Sequence, residues 1–164
     1  MKLALPTLFS LLLAPCLAGS ASAAADDSQL QRLLSCEDSW LDWRGDRARM
    51  GAFARDFQSR FTQEPRSPAF TPKQKLSLLG LPVEQVFPES VGMGVGFSVQ
   101  VNAPAEQVRQ ALEQRLGKSM KCEVSEGTLA CELEIGEKRT AILMTADKGR
   151  GRSSLLGCYY FYAP

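Results

Sequence analysis

Apolar positions recur at helical spacing near the start of the chain and at alternate positions further on. Asp26, Asp27 and Ser28 offer N-cap oxygens ahead of Leu30, Leu33 and Leu34, which predicts a first helix. A second is predicted from about Asp46 to Phe61. Met50, Phe53, Ala54, Phe57 and Phe61 fall on one of its faces, and Arg49, Arg55, Asp56 and Arg60 lie away from that face's centre. The segment TQEPRSPAFTP contains three prolines that break regular structure, so residues 62–74 read as a connection. KLSLLGLPVEQVFP then reads as one or two short strands with a break at Gly80 to Pro82.

Residues 89–104, ESVGMGVGFSVQVNAP, alternate strictly. Met93, Val95, Phe97, Val99 and Val101 are apolar, and Gly92, Gly94, Gly96, Ser98, Gln100 and Asn102 stand between them. That is a strand with one apolar face and one small or polar face. A dinucleotide fingerprint needs G-x-G-x-x-G where a strand meets a helix. Here the third glycine comes one residue early and five strand residues follow it, so the motif fails and no cofactor is implied. The expectation is instead that a helix or loop of the same chain lies flat on the glycine face, with an external partner as the alternative use of Gly92, Gly94 and Gly96.

Pro104 suits the first turn of a helix whose apolar face is Val108, Ala111, Leu112 and Leu116, with Gly117 as its C-terminal cap. KCEVSEGTLACELEI follows as a hairpin around Glu126-Gly127. In that register Val124 faces Leu129 and Cys122 faces Cys131 across a non-hydrogen-bonded pair, close enough for a disulfide. Met120, Cys122, Val124, Leu129, Cys131, Leu133 and Ile135 share one face, and a slip of one residue would bury the glutamates instead. Gly136-Glu137 reads as a second tight turn into KRTAILMTA, and the loop DKGRGR leads to a last strand, SSLLGCYYFYA. The predicted fold class is α+β: N-terminal helices, then a mainly antiparallel sheet with one packed helix, in β-α-β-β-β-β order.

The first residues change the picture of where this happens. Lys2, a short apolar run and Ala21-Ser22-Ala23 read as a cleaved export signal over residues 1–23, leaving 24–164 as one domain. Within it, residues 24–61 form a helical layer and 75–164 the sheet. Cys16 is a poor lipidation site because Pro15 precedes it. The mature chain then has no transmembrane segment, and the expected compartment is the periplasm, with the extracellular space as the alternative. Four cysteines remain. With Cys122 joined to Cys131, Cys36 pairs with Cys158 by elimination. The spacing lacks the C-x-x-C knuckle of a zinc site, so no metal is expected.

Once the leader and its Lys2 are removed, 18 basic residues balance 18 acidic ones, which gives nucleic acid no cationic surface to bind. The chain has no histidine, and with it go the commonest general base and metal ligand. The acids show no paired-carboxylate motif. The expectation is therefore a non-catalytic domain that binds another protein, as an inhibitor, an immunity-type protein or an envelope accessory factor. Candidate contacts are the basic loop residues Lys148, Arg150 and Arg152 and the aromatic row of Tyr159 and Phe161. The alternative is a carrier or sensor of a small apolar or anionic ligand held between helix and sheet. A histidine-independent carboxylate enzyme is the third reading. Trp40 and Trp43, near Cys36, read as a shield for its disulfide.

Overall fold

The computed structural model describes residues 21–40, 45–88, 94–136, 139–145 and 150–161. Among them it has three helices, α1 (Ala21–Leu34), α2 (Arg47–Arg60) and α3 (Ala105–Leu116). Nine strands join one antiparallel sheet: β1 (Phe61–Gln63), β2 (Phe70–Pro72), β3 (Ser77–Leu78), β4 (Leu81–Phe87), β5 (Gly94–Asn102), β6 (Lys121–Ser125), β7 (Thr128–Gly136), β8 (Arg139–Thr145) and β9 (Ser153–Phe161). The strand order is β1-β2-β4-β5-β9-β8-β7-β6, with β3 paired to β4 alone. The α+β class and the β-α-β-β-β-β order from β5 onward are as the residue pattern predicts.

The helices begin and end for local reasons. The alanine-rich run before Asp26 carries α1 back to Ala21, past the capping residues that the sequence suggests, because alanine favours the helix most. Asp46 caps α2, its carboxylate accepting from the backbone N–H groups of Ala48 and Arg49. Pro104 precedes α3 in extended conformation, and Gly117 ends it at φ 66°, its N–H donating to the Glu113 carbonyl.

Proline does not end regular structure where it was expected to. Phe61 is both the C-terminal cap of α2 and the first residue of β1, and the supposed connection folds back as the β1–β2 hairpin, pairing Phe61 with Pro72 and Gln63 with Phe70. Pro65 and Pro68 fall in its turn. Pro72 sits beyond β2's single registered pair with β4, Phe70 with Val86, where it withholds no ladder donor. The next reversal is tight: Leu79 and Gly80 both have positive φ, and Leu78 pairs with Leu81.

The hairpin β6–β7 has the expected register, with Cys122 opposite Cys131 and Val124 opposite Leu129, around Glu126 and Gly127 at φ 50° and 85°. Its apolar face is only partly covered. Cys131 is buried and Leu129, Leu133 and Ile135 are half-buried, but Val124 is 53 % exposed because β6 is the outermost strand. The following turn closes one residue later than expected, on a Gly136–Arg139 pair after a register shift, and Glu137 lies outside the described residues.

Strand β9 returns to the middle of the sheet and pairs with β5 over all nine of its residues. Phe97, Val99, Val101, Leu143, Leu156 and Cys158 point to one face, where Leu30, Leu33 and Leu34 of α1 and Val108 and Leu112 of α3 meet them in one cluster. The question of the glycines resolves within the sheet. Gly96 stands opposite Tyr159, and a methyl group there would collide with the Cys158 carbonyl oxygen; one at Gly157 would strike the Phe97 carbonyl and Ser98. The glycines let β5 and β9 approach closely, with no helix or loop needed to explain Gly96. Gly94 opens β5 opposite Phe161, while Gly92 is outside the described residues.

Two disulfides hold this arrangement, Cys36–Cys158 with Cα atoms 5.1 Å apart and Cys122–Cys131 at 4.0 Å. Both match the expected pairing, and such links belong to an oxidising environment. Beside the first, Arg139 donates to the Cys36 carbonyl and Arg115 reaches from the end of α3 to Glu37 at 2.7 Å. Burial alone would raise the Glu37 pKa, but the hydrogen bonds from Arg115 and Ser35 outweigh it and hold the carboxyl below its ordinary value.

The Cys36–Cys158 link spans 122 residues and Cys122–Cys131 only 9, so the paired serine substitutions should cost about 5 and about 2.5 kcal/mol respectively by loss of loop closure. Urea denaturation measures both; equal losses would show that the long link does not hold α1 to the sheet. A lowered pKa stabilises above the ordinary carboxylate range, about 4.3, and that contribution fades as pH falls through the lowered value. Glu37→Gln should therefore cost less than about 1 kcal/mol at pH 7, screened as the pair is, and progressively less as pH falls below the ordinary carboxylate range. A loss that does not shrink as the pH is lowered would contradict the ion-pair account.

Candidate functional site

The aromatic residues of α2 belong to a longer chain of rings. Trp40 lies 6.0 Å from Phe97 and meets Phe53 edge-on at 5.4 Å; Phe53 stacks on Phe57 at 5.3 Å, and Phe57 on Phe61 at 4.2 Å. Phe70 of β2 meets Phe57 edge-on at 5.0 Å. The i, i+4 spacing of Phe53, Phe57 and Phe61 puts the three rings in one row. The direct passage from α2 into β1 then swings the β1–β2 hairpin beside that row.

Between them is a groove of about 500 Å³, lined among the described residues by Trp40, Met50, Phe53, Ala54, Phe57, Gln58, Phe61, Gln63, Pro68, Phe70 and Pro88. Its floor is buried aromatic surface. Ala54, expected on the core face of α2, is exposed on the groove's wall, and Gln58 and Gln63 are exposed polar residues. None of these lining residues is charged. Trp40 is 2 % exposed, and its indole Nε1 is buried with no hydrogen-bond partner among the described residues. Two other hollows, of about 510 and 480 Å³, are lined largely by charged residues, the first along β6 and β7 and the second around Asp27, Arg60 and Lys73. In the second, Arg60 is already committed to Asp27 and Asp56 and lies over the Phe61 ring.

The residues singled out from the sequence do not assemble into one site. Arg150 and Arg152 are exposed, and Lys148 is outside the described residues. Tyr159 does not form an exposed row. It is 3 % exposed, on the sheet face opposite the main core, and Tyr160 is buried on the core face. Burial pushes the Tyr159 phenol above its ordinary pKa, an effect the Ser98 hydroxyl partly opposes, yet no bond of normal geometry closes on its Oη. Phe161 pairs with Gly94 at the end of β9. Trp40 packs against Phe97, which is registered opposite Cys158; Trp43 is outside the described residues.

Among the described residues two carboxylates have shifted acidity. Hydrogen bonds from Arg109 and Gln110 lower Glu106, and Glu37 is lowered as described. A general acid at neutral pH needs the opposite shift. The groove itself was not foreseen. Its signal was the run PRSPAF, whose Pro68 and Phe70 continue the aromatic stripe of α2 once the chain turns back, but only the hairpin brings them together.

Removing the Tyr159 hydroxyl removes a desolvated polar group that makes no hydrogen bond of normal geometry among the described residues. Tyr159→Phe should leave the folding free energy unchanged or raise it by up to about 1 kcal/mol. Thermal and urea unfolding test this, and a loss above about 1 kcal/mol would mean that Oη is bonded after all.

Comparison of this chain with protein-family models, with curated proteins and with solved structures finds no match, so its own geometry is what points to a function.

Proposed function

We propose that this chain is an exported binding domain that holds a small, largely apolar ligand in the groove between α2 and the β1–β2 hairpin. The observation that carries the reading is the groove itself: about 500 Å³, within the range of small-molecule sites, with a floor of packed aromatic rings. Aromatic surface of this kind contributes large contact area at little conformational cost. Export rests on the leader pattern at residues 1–23 and fits the two disulfides, which need an oxidising compartment such as the periplasm. Among the described residues no helix is long and apolar enough to cross a membrane. Binding rather than catalysis fits a chain without histidine.

A protein partner is the second reading, favoured by β6. Among the described residues this outermost strand pairs with β7 alone and has all five residues exposed, which leaves its outer backbone edge available for strand addition. Exposed Arg150 and Arg152, with Lys148 two positions earlier in the sequence, would steer an acidic partner. Crosslinked capture from an envelope extract, repeated after changing all three residues to alanine, tests this reading; a single partner lost in the variant supports it.

The groove reading makes its own prediction. The neutral fluorophore N-phenyl-1-naphthylamine should brighten on binding the oxidised protein. Ala54→Trp, which places a ring in the groove from an exposed helical position, should weaken that binding at least about tenfold with an unchanged melting temperature. No brightening, or brightening indifferent to Ala54→Trp, would remove the groove as the site.

A further inference from the structure

We infer that Cys122–Cys131 is a thiol-exchange site: an external dithiol opens it by attack on Cys122, while Cys36–Cys158 and the rest of the fold stay closed. This role is separate from ligand binding in the groove and does not rest on it.

Access is the first reason. Thiol exchange needs an incoming thiolate to reach a disulfide sulfur, so exposed links are the labile ones. Cys36 and Cys158 are each 1 % exposed, and Cys158 lies in β9 with β5 on one side and β8 on the other. Cys122 is exposed, in an outermost strand whose five residues are all exposed. Its partner Cys131 is fully buried in the core cluster, which Cys122 does not join. The two ends of the short link therefore differ, and the way in is through Cys122.

The second reason is what opening leaves behind. The short link spans 9 residues, so breaking it frees little chain. Both ends of β6 are held by other means. Met120, just before the strand, is buried and donates its N–H to Glu113 Oε1 at 2.8 Å. Beyond the strand, Ser125 and Thr128 pair across the Glu126–Gly127 turn. Cys122 thus stays close to Cys131 after the bond is broken, and Cys131 remains in the core as a small apolar thiol. The pair closes again when an oxidant returns.

The exchange balances with a dithiol as reductant. One of its thiolates attacks the Cys122 sulfur and forms a mixed disulfide as the Cys122–Cys131 bond breaks; Cys131 leaves as a thiolate and takes up a proton. The second thiolate of the dithiol then attacks its own sulfur in the mixed disulfide, and Cys122 leaves and is protonated in turn. The dithiol is oxidised to a disulfide, and the cysteine pair gains two electrons and two protons.

The oxidised protein is incubated with dithiothreitol under native conditions, alkylated at intervals with N-ethylmaleimide and mapped by peptide mass. Cys122 and Cys131 should be alkylated at least about tenfold faster than Cys36 and Cys158. Reduced thioredoxin in place of dithiothreitol separates a protein-borne dithiol from a small one; selective opening by either supports the site, and by neither overturns it. Opening of both links at one rate, or of Cys36–Cys158 first, also overturns it. The point of attack is read from two variants: the thiol left in Cys131→Ser should react with an aromatic disulfide reagent at least about tenfold faster than the one left in Cys122→Ser. Equal rates would overturn attack on Cys122. In the partly reduced protein the 15N–1H resonances of β5 and β9 should stay in place while those of β6 move, and oxidised dithiothreitol should restore the first spectrum. Collapse of the folded spectrum on opening, or failure to restore it, would overturn a reversible site.

Discussion

Everything else in this molecule depends on the pairing of β5 with β9. The two strands lie far apart in sequence, yet nine successive residues of each are in register. That ladder closes the β6–β9 meander back onto the strand that precedes it, and so forces α3 to cross the sheet between β5 and β6. Gly96 and Gly157 permit it by leaving the facing backbone unobstructed. Its core side supplies Phe97, Val99, Cys158 and Leu156 to the helices, and Phe97 in turn supports Trp40 at the head of the ring row. The groove is thus a remote result of a central constraint: ladder, then Phe97, then Trp40, then the α2 stripe.

Where a rule of alternation or spacing applied to neighbours in the chain, the fold could be read in the sequence. The register of β6 with β7, both disulfides, the phenylalanine row of α2, the apolar face of α3 and the Gly117 cap all follow from residues within a turn or a hairpin of one another, or from counting the cysteines that remain. The residues 62–74 show the limit. Three prolines argue against a strand only if each would have to donate to a ladder, and whether it must depends on which neighbours it acquires. Two fall in a turn and the third lies past the short contact with β4, so the strands survive.

The candidate site was less legible, because its parts had each been explained separately. Phe53, Phe57 and Phe61 form an aromatic row on α2, Trp40 packs on Phe97, and Phe70 stands in the proline-rich segment; none of these by itself implies a groove. What joins them is the absence of any loop between α2 and β1. With Phe61 serving both elements, the chain has no slack to carry the hairpin away from the helix it has just left. The aromatic row of β9 failed for the complementary reason. Alternation fixes which face Tyr159 takes, but not how deeply each position on that face is buried: Tyr159 is buried like a core residue while Met144 on the same face is exposed.

The two disulfides also imply an order of events as the chain is made. Of the four bridged cysteines Cys36 emerges first and Cys158 last, with Cys122 and Cys131 passing in between as competing thiols. A hairpin forms in microseconds, far faster than a disulfide forms, so β6 and β7 can set their two sulfurs side by side before any oxidant acts. The short link thereby takes these two competitors out of the exchange before Cys158 arrives to meet Cys36. The hairpin at the edge of the sheet, which contributes least to the core, is in this sense the proofreader of the bond at its centre.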